Sequence, residues 1–478
     1  AGTENRRFAL AACFSENHKA KDMGYISFDP WLQKKLAVYT EMDDYILDGI
    51  TERAWNAFSH WRTLKPEERC LPLAVMADIL KQRRDAIAVM MASEMGKPVT
   101  QGLAEADKCA LLCRWYADHA PGLLQPEMRP SSAHSSNVVR EPQGIILGIM
   151  PWNFPFWQVF RFIVPAFAGG NAALLKHASS VPRCALEIEE IVKEAGFPEG
   201  LFRTVLPSHS QVERLISDSR IRGVSLTGST AAGKRIASVA GASLKKMVME
   251  LGGSDPFIVF PDADIDGAVK AAVFSRYQNG GQSCIAAKRI IIHKDVYDEF
   301  RDKFVSAVKA LRTGDPLDPL TDVGPMVNVA AADELERQLT DTLRAGAKLL
   351  CGGRAGSEHP ALFFPAVIDD VPPDSPLACE ETFGPAAPLL RFTTADEAVT
   401  MANGTPYGLG ATVWTADERL AMNLAHSIDT GTVAVNGFVK SEPGLPFGGV
   451  RESGYGRELA SEGLFEFLNT KTISVFRL

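Results

Sequence analysis

Long apolar runs are absent from this chain. No stretch approaches the roughly 20 residues that carry a helix across a bilayer, so no membrane partner is expected. Near the start, Arg6-Arg7 precede the apolar run Phe8–Cys13. That run is too short for the ~7–15-residue core of a signal peptide. Residues 1–24 are therefore set apart as an N-terminal extension whose origin the sequence leaves open. Basic runs are absent too: 50 Lys and Arg stand against 58 Asp and Glu, a net charge of −8. A nucleic-acid partner, which calls for a basic face, is not expected. Cysteine is sparse, with 8 in 478 residues at irregular spacing. There is no C-x-x-C and no Cys/His group at zinc-ligand spacing, so neither a metal site nor a disulfide framework is expected. A reducing compartment, the cytoplasm, fits this usage. Cys109 and Cys113, four residues apart, read as two buried thiols on one helix face. No short-period repeat is present.

What is there is an ordinary globular composition, 46% hydrophobic and 23% charged. At about 150 residues per domain this length suggests about three domains. From Asp43 to about His119 the apolar residues follow helical stripes, and Pro121 and the Pro126–Pro130 region are expected to break the last one. Ser131–Asn137 is a polar stretch read as a loop or an extended hairpin. Gly144–Met150, Ala172–Lys176 and Gly223–Leu226 are short buried strands separated by helical stretches, the alternation of a parallel α/β sheet. After Gly252-Gly253 it restarts with strands at Phe257–Phe260, Arg289–His293 and Gly410–Trp414. Helices are expected at Ala263–Tyr277, Val296–Leu311, Ala331–Ala345 and Ala395–Met401. Thr470–Phe476 alternates as a strand does.

Three segments suggest chemistry. Gly228-Ser229-Thr-Ala-Ala-Gly233 follows a strand and opens a helix. Gly228 is read as a tight turn and Gly233 as a point of close packing, with the helix N-terminus facing an anion. Lys176 and Ser179 end another strand, where ligands bind in open α/β sheets. Cys284 closes Asn279-Gly-Gly-Gln-Ser-Cys284, thirty-four residues after Glu250. The glycines are read as leaving this thiol accessible. Asn153, between Pro151 and Pro155, offers a side-chain amide to an oxyanion.

Pro151–Pro155, Gly228–Gly233, Glu250–Gly253, Gln282–Cys284, Glu381–Pro385, Pro446–Gly449 and Ser453–Glu458 resemble, in order and spacing, the motifs of the aldehyde dehydrogenase superfamily. The resemblance runs from about Gly24 to the C-terminus. It implies an α/β fold of two Rossmann-like parallel-sheet domains plus a small β oligomerisation arm. Residues 25–121 and 143–252 would form the cofactor domain and 253–450 the catalytic domain. Residues 122–142 and 468–478 would form the arm, making a homodimer or homotetramer. It implies Cys284 as the nucleophile, Asn153 and the Cys284 N–H as oxyanion donors, and Glu250 as the general base. Glu381 would hold the nicotinamide ribose and Phe383 would pack on the nicotinamide. Trp152, Lys176 and Ser229 would line the dinucleotide path. Relatives that prefer NAD often carry Glu at position 179; Ser179 does not repel a 2′-phosphate, so NADP is expected in preference, with NAD as the alternative.

The resemblance is strongest to succinate-semialdehyde dehydrogenases, where Arg161 and Ser441 match positions that bind the distal carboxylate. Phe447 belongs to the same substrate site. Some of those enzymes carry a second Arg where this chain has Gln278, a departure that implies weaker carboxylate binding or a wider range of aldehydes. Ala286 stands where some relatives have a second Cys, so a disulfide switch beside Cys284 is not expected. Other readings stand beside this one: a broader aldehyde specificity, release of the thioester to CoA, or a retired dehydrogenase serving as a binding protein.

Overall fold

In the computed structural model, which describes residues 24–477, the apolar runs become the central strands of two sheets. The reading of residues 1–23, Cys13 included, lies outside the described residues. The first sheet runs Gly454–Tyr455, Lys246–Glu250, Ile221–Thr227, Ile145–Met150, Ala172–His177, Phe202–Thr204. All neighbours are parallel except the short Gly454–Tyr455 edge strand. The chain steps outward from Ile145–Met150 through two strands, then returns to its other side with Ile221–Thr227. A crevice opens at such a reversal, outside the carboxyl ends of the strands.

The second sheet runs Lys348–Arg354, Phe363–Asp369, Ala386–Phe392, Ala287–His293, Asp255–Val259, Gly410–Trp414, Thr432–Val435. Only its first pair is antiparallel. Successive residues point to opposite faces of a strand. Phe257, Val259, Ile290, Ile292 and Leu389 accordingly fill one core, and Ile258, Ile291, Leu390 and Val413 the other. A third, antiparallel sheet joins Leu468–Val475, Ser135–Pro142 and Glu127–Met128. Its Leu468–Val475 edge leaves Ile473, Val475 and the following Phe476 46%, 51% and 66% exposed.

The expected helices are present at Asp44–Trp61, Pro66–Gln82, Arg84–Met95 and Val99–Leu123. The last runs through Pro121 and ends two residues beyond it, at Leu123, before the Pro126–Pro130 region. A proline this close to the end forfeits only the bond to the Ala117 carbonyl, which the helix tolerates. Cys109 and Cys113 are both fully buried. No helix among the described residues is long and apolar enough to cross a membrane.

One contact ties the helical layer to the functional crevice. Glu105, on the Val99–Leu123 helix, is buried against Lys97 in an ion pair. Its other oxygen accepts the backbone N–H groups of Phe156 and Trp157, each at 2.9 Å. A carboxylate from one helix thus satisfies the free donors that open the Trp157–Gly169 helix. Removing one partner of a buried pair strands the other charge, at a cost of about 3–5 kcal/mol. Glu105→Ala is therefore expected to lower the thermal unfolding midpoint by several degrees, and adding Lys97→Met should recover part of the loss. An unchanged midpoint in Glu105→Ala would contradict this staple.

Candidate active site

Cys284 lies between two cavities and lines both. The glycine-rich segment before it is not the open loop expected from its composition: Asn279 to Ser283 are all buried. Asn279, Gly280 and Gly281 all have positive φ, at 55°, 62° and 70°. A Cβ on Gly281 would stand 2.4 Å from the Gly384 carbonyl oxygen, so glycine is required twice over there. Asn279 Nδ2 donates to the Asn153 carbonyl at 2.7 Å. Asn153 Nδ2 donates in turn to the Gln282 carbonyl at 3.0 Å. The Gln282 side chain accepts from Val327 N at 2.9 Å. The thiol therefore sits on a backbone locked by side-chain amides. An amide nitrogen carries two N–H groups, so Asn153 keeps one for a ligand.

Cys284 retains partial exposure through the cavities, yet burial pushes its thiol up to about 11. Arg161 and Lys288 pull against that shift, while Glu250 and Asp255 reinforce it. The sequence reading placed this thiol by its motif and did not foresee so desolvated a setting. No cysteine among the described residues is disulfide-bonded.

Glu250 ends its strand buried, and neither carboxylate oxygen meets a donor among the described residues. Desolvation pushes its carboxyl well above the ordinary range; neighbouring Glu458 adds to this, and Arg161 and Arg457 oppose it. Arg161 Nε lies 2.7 Å from Glu458 Oε2, with both side chains buried. Its Nη2 donates to Gln158, and its guanidinium carbon stands 4.9 Å from the Phe447 ring centre. Phe447 and Glu458 exchange backbone hydrogen bonds at 2.8 Å in both directions, which fixes the pair. The guanidinium read from the sequence as facing a ligand thus also serves as counter-ion to a buried carboxylate.

The first cavity, of about 230 Å³, gathers Arg161, Gln278, Ser441 and Phe447 with Cys284. The second, of about 270 Å³, gathers Trp152, Asn153, Gly228, Ser229, Glu381 and Phe383 with Cys284. Trp152 and Phe383 meet edge to face, 5.8 Å between ring centres. Ser229 caps the Thr230–Ala242 helix by accepting from Ala232 N at 3.3 Å. Gly233 packs where a Cβ would come within 2.5 Å of the Leu251 side chain, the close approach expected. Gly228 does lie in the tight two-residue turn between strand and helix, but the turn does not demand glycine: it has no positive φ, and a Cβ would meet only an ordinary 3.7 Å contact. Its bareness serves the cavity wall instead. Lys176 and Ser179 do not line this cavity. They stand at and beyond the carboxyl end of the adjacent strand Ala172–His177. Burial lowers the Lys176 ammonium, and among the described residues no carboxylate pairs with it. Ser179 is exposed, its carbonyl accepting from Ile26 N at 3.0 Å.

Three residues escaped the sequence reading. Lys288, four residues after the thiol, is buried and donates to the Gly253 carbonyl at 2.6 Å, the Cys284 carbonyl at 3.1 Å and Glu381 Oε1 at 2.6 Å. Glu458 was visible only as the end of a motif. Lys108, on the first cavity's wall, belongs to no motif.

Comparison with known proteins gives this geometry a family. The aldehyde dehydrogenase family model matches residues 17–473. A probable succinate-semialdehyde dehydrogenase of the NADP(+) type from Synechocystis sp. is 47% identical over 451 residues, spanning 94% of this chain and 99% of its own. Succinate-semialdehyde dehydrogenase, NADP(+), 1 of Mycobacterium tuberculosis is 44% identical over 455 residues, spanning 94% and 99%. The crystal structure of succinic semialdehyde dehydrogenase from Streptococcus pyogenes in complex with NADP+ matches at a TM-score of 0.92 and 37% identity, over 95% of this chain and 100% of that one. With its motifs, its fold and nearly its whole length in agreement, the chain belongs to the aldehyde dehydrogenase family.

Proposed function

We propose that this chain oxidises succinate semialdehyde to succinate with NADP, through a thiohemiacetal and then a thioester on Cys284. The observation that carries the reading is the position of Cys284 between one cavity lined by Arg161 and Ser441 and another lined by Trp152, Glu381 and Phe383. The relatives named for NADP and for succinate semialdehyde agree with it.

The second cavity suits a dinucleotide. Its aromatic pair forms a flat wall and Glu381 offers a carboxylate for sugar hydroxyls. The Ser229-capped helix brings free N–H groups for a pyrophosphate. Lys176, a half-buried cation with no carboxylate paired to it among the described residues, and Ser179, which carries no charge, suit a 2′-phosphate. When bound, the nicotinamide supplies the hydride acceptor.

The protein's own groups do the rest. The Cys284 thiolate forms a bond to the aldehyde carbon, and the carbonyl electrons move onto oxygen. The second N–H of Asn153 and the Cys284 N–H stabilise that oxyanion. Loss of hydride from the carbon restores the carbonyl as a thioester. Water then adds, giving its proton to Glu250, and the carbon–sulfur bond breaks to release the acid and the thiolate. Burial, by raising the Glu250 carboxyl, makes its ionised form a stronger proton acceptor than an exposed carboxylate. Its presence favours water over CoA as the acceptor. The exposed apolar edge at Ile473, Val475 and Phe476 supports pairing of subunits through the arm. The free thiols suit a reducing compartment such as the cytoplasm.

Two outcomes test this reading. The Cys284 thiol is raised to about 11, and a raised thiol is active only as pH climbs. In cofactor-free protein, iodoacetamide labelling of Cys284, read by peptide mass spectrometry, should rise about tenfold per pH unit from about pH 7 to 9 without levelling. A plateau near pH 8 would show a thiol that burial does not control. In steady-state assays, kcat/KM should be at least about tenfold higher for succinate semialdehyde than for butanal, and higher with NADP than with NAD. Equal values for the two aldehydes would remove the carboxylate from the reading, and a strong NAD preference would remove NADP.

A further inference from the structure

Gln101, Ala104, Glu105 and Lys108 follow the i, i+3, i+4, i+7 spacing of one helix stripe, and all four line the first cavity. Glu105 is fully engaged by Lys97 and two backbone donors. Lys108 is not. Its Nζ donates to Ser441 Oγ at 2.8 Å and stands 4.2 Å from the Trp157 ring centre. Among the described residues no carboxylate forms an ion pair with it.

The hydrogen-bond inventory of Ser441 then becomes informative. Its oxygen accepts from Lys108 and also from Trp157 Nε1, at 3.1 Å. Both partners are donors, so the hydroxyl's own proton is unspent, and Ser441 is buried. On the same cavity wall Arg161 has its charge met by Glu458. The Lys108 ammonium, a hydroxyl proton and a guanidinium therefore converge on one cavity; among the described residues its sole lining carboxylate, Glu105, is already engaged, and Lys440, also on the wall, is paired with Glu442. Converging donors without an acceptor describe an anion site, and the one uncompensated charge in it is that of Lys108. Gln278 lines the same cavity and adds none.

We propose that Lys108 is a carboxylate-binding residue of the substrate cavity, holding the distal carboxylate of the aldehyde together with Ser441 and Arg161. It supplies the cation that position 278 lacks, and it sets the preference for aldehydes that carry a carboxylate. The inference rests on the substrate reading above and adds to it the residue that makes the choice.

The charge on Lys108 is conditional. Burial first, and then the Arg161 cation facing it from the neighbouring helix, bring its ammonium down to about 8. Glu105 and Cys109 on its own helix and Glu442 beside Ser441 act in the opposite direction. For a lysine with a lowered pKa the cation is present below that value and lost above it. Preference for the charged aldehyde should therefore be full at neutral pH and fade as pH rises through about 8.

The test is the ratio of kcat/KM for succinate semialdehyde to that for butanal, from about pH 6.5 to 9.5, in wild type, Lys108→Met and Lys108→Arg. Taking a ratio cancels the pH dependence of the thiol, which both aldehydes share. A hydrogen bond to a charged group is worth enough for about a tenfold effect. The wild-type ratio should fall across about pH 8. In Lys108→Met it should be about tenfold lower at pH 7 and flat with pH; in Lys108→Arg it should stay high and flat. A Lys108→Met enzyme that keeps the wild-type ratio overturns the proposal and leaves the substrate reading standing. A wild-type ratio near one overturns both. If Lys108→Met does not fold, the Lys108→Arg profile decides: a ratio that still falls across about pH 8 assigns the titration elsewhere and overturns the proposal.

Discussion

The buried ion pair between Arg161 and Glu458 holds in place the cation that opposes the effect of burial around Cys284. Both side chains are buried, so neither charge is stable without the other. Arg161 also draws down the thiol of Cys284 and the carboxyl of Glu250, each of which burial pushes up. One guanidinium therefore acts on Glu458, Glu250 and Cys284 at once. Its place follows from the start of its helix, held by Glu105, and from the Phe447–Glu458 backbone bridge.

This arrangement explains why the site is divided. A desolvated thiol reacts only when something stabilises the charge it generates, and the donors for that charge come from both sides. Asn153 lines the second cavity, and the cations Arg161 and Lys108 line the first. Lys288 links the halves, binding the Cys284 carbonyl and Glu381 through one ammonium. The Glu381 carboxylate and the Cys284 backbone are thereby held by the same ammonium.

Much of the fold was legible because buried parallel strands are short apolar runs. Ile145–Met150 and Gly410–Trp414 stand where their residues suggested. Strands Phe363–Asp369 and Ala386–Phe392 were not read, since Pro365 and Pro388 interrupt them and proline argues against a ladder position. Within the site, the motifs located Cys284, Glu250 and Asn153, but spacing carries no information about burial. The packed state of the Asn279–Ser283 segment and the counter-ion of Arg161 depend on residues far apart in the chain. Lys108 lay on an unremarked helix face; its meaning comes only from Ser441, which the fold brings beside it from the other end of the sequence.

The central claim is that Cys284 carries the substrate carbon as a thioester. The direct measurement is rapid acid quenching of the enzyme during turnover of succinate semialdehyde with NADP, followed by peptide mass spectrometry. The account predicts a succinyl group on the peptide containing Cys284, absent when NADP is omitted. Turnover that proceeds with no acyl group on Cys284, or with the group on another residue, would contradict it.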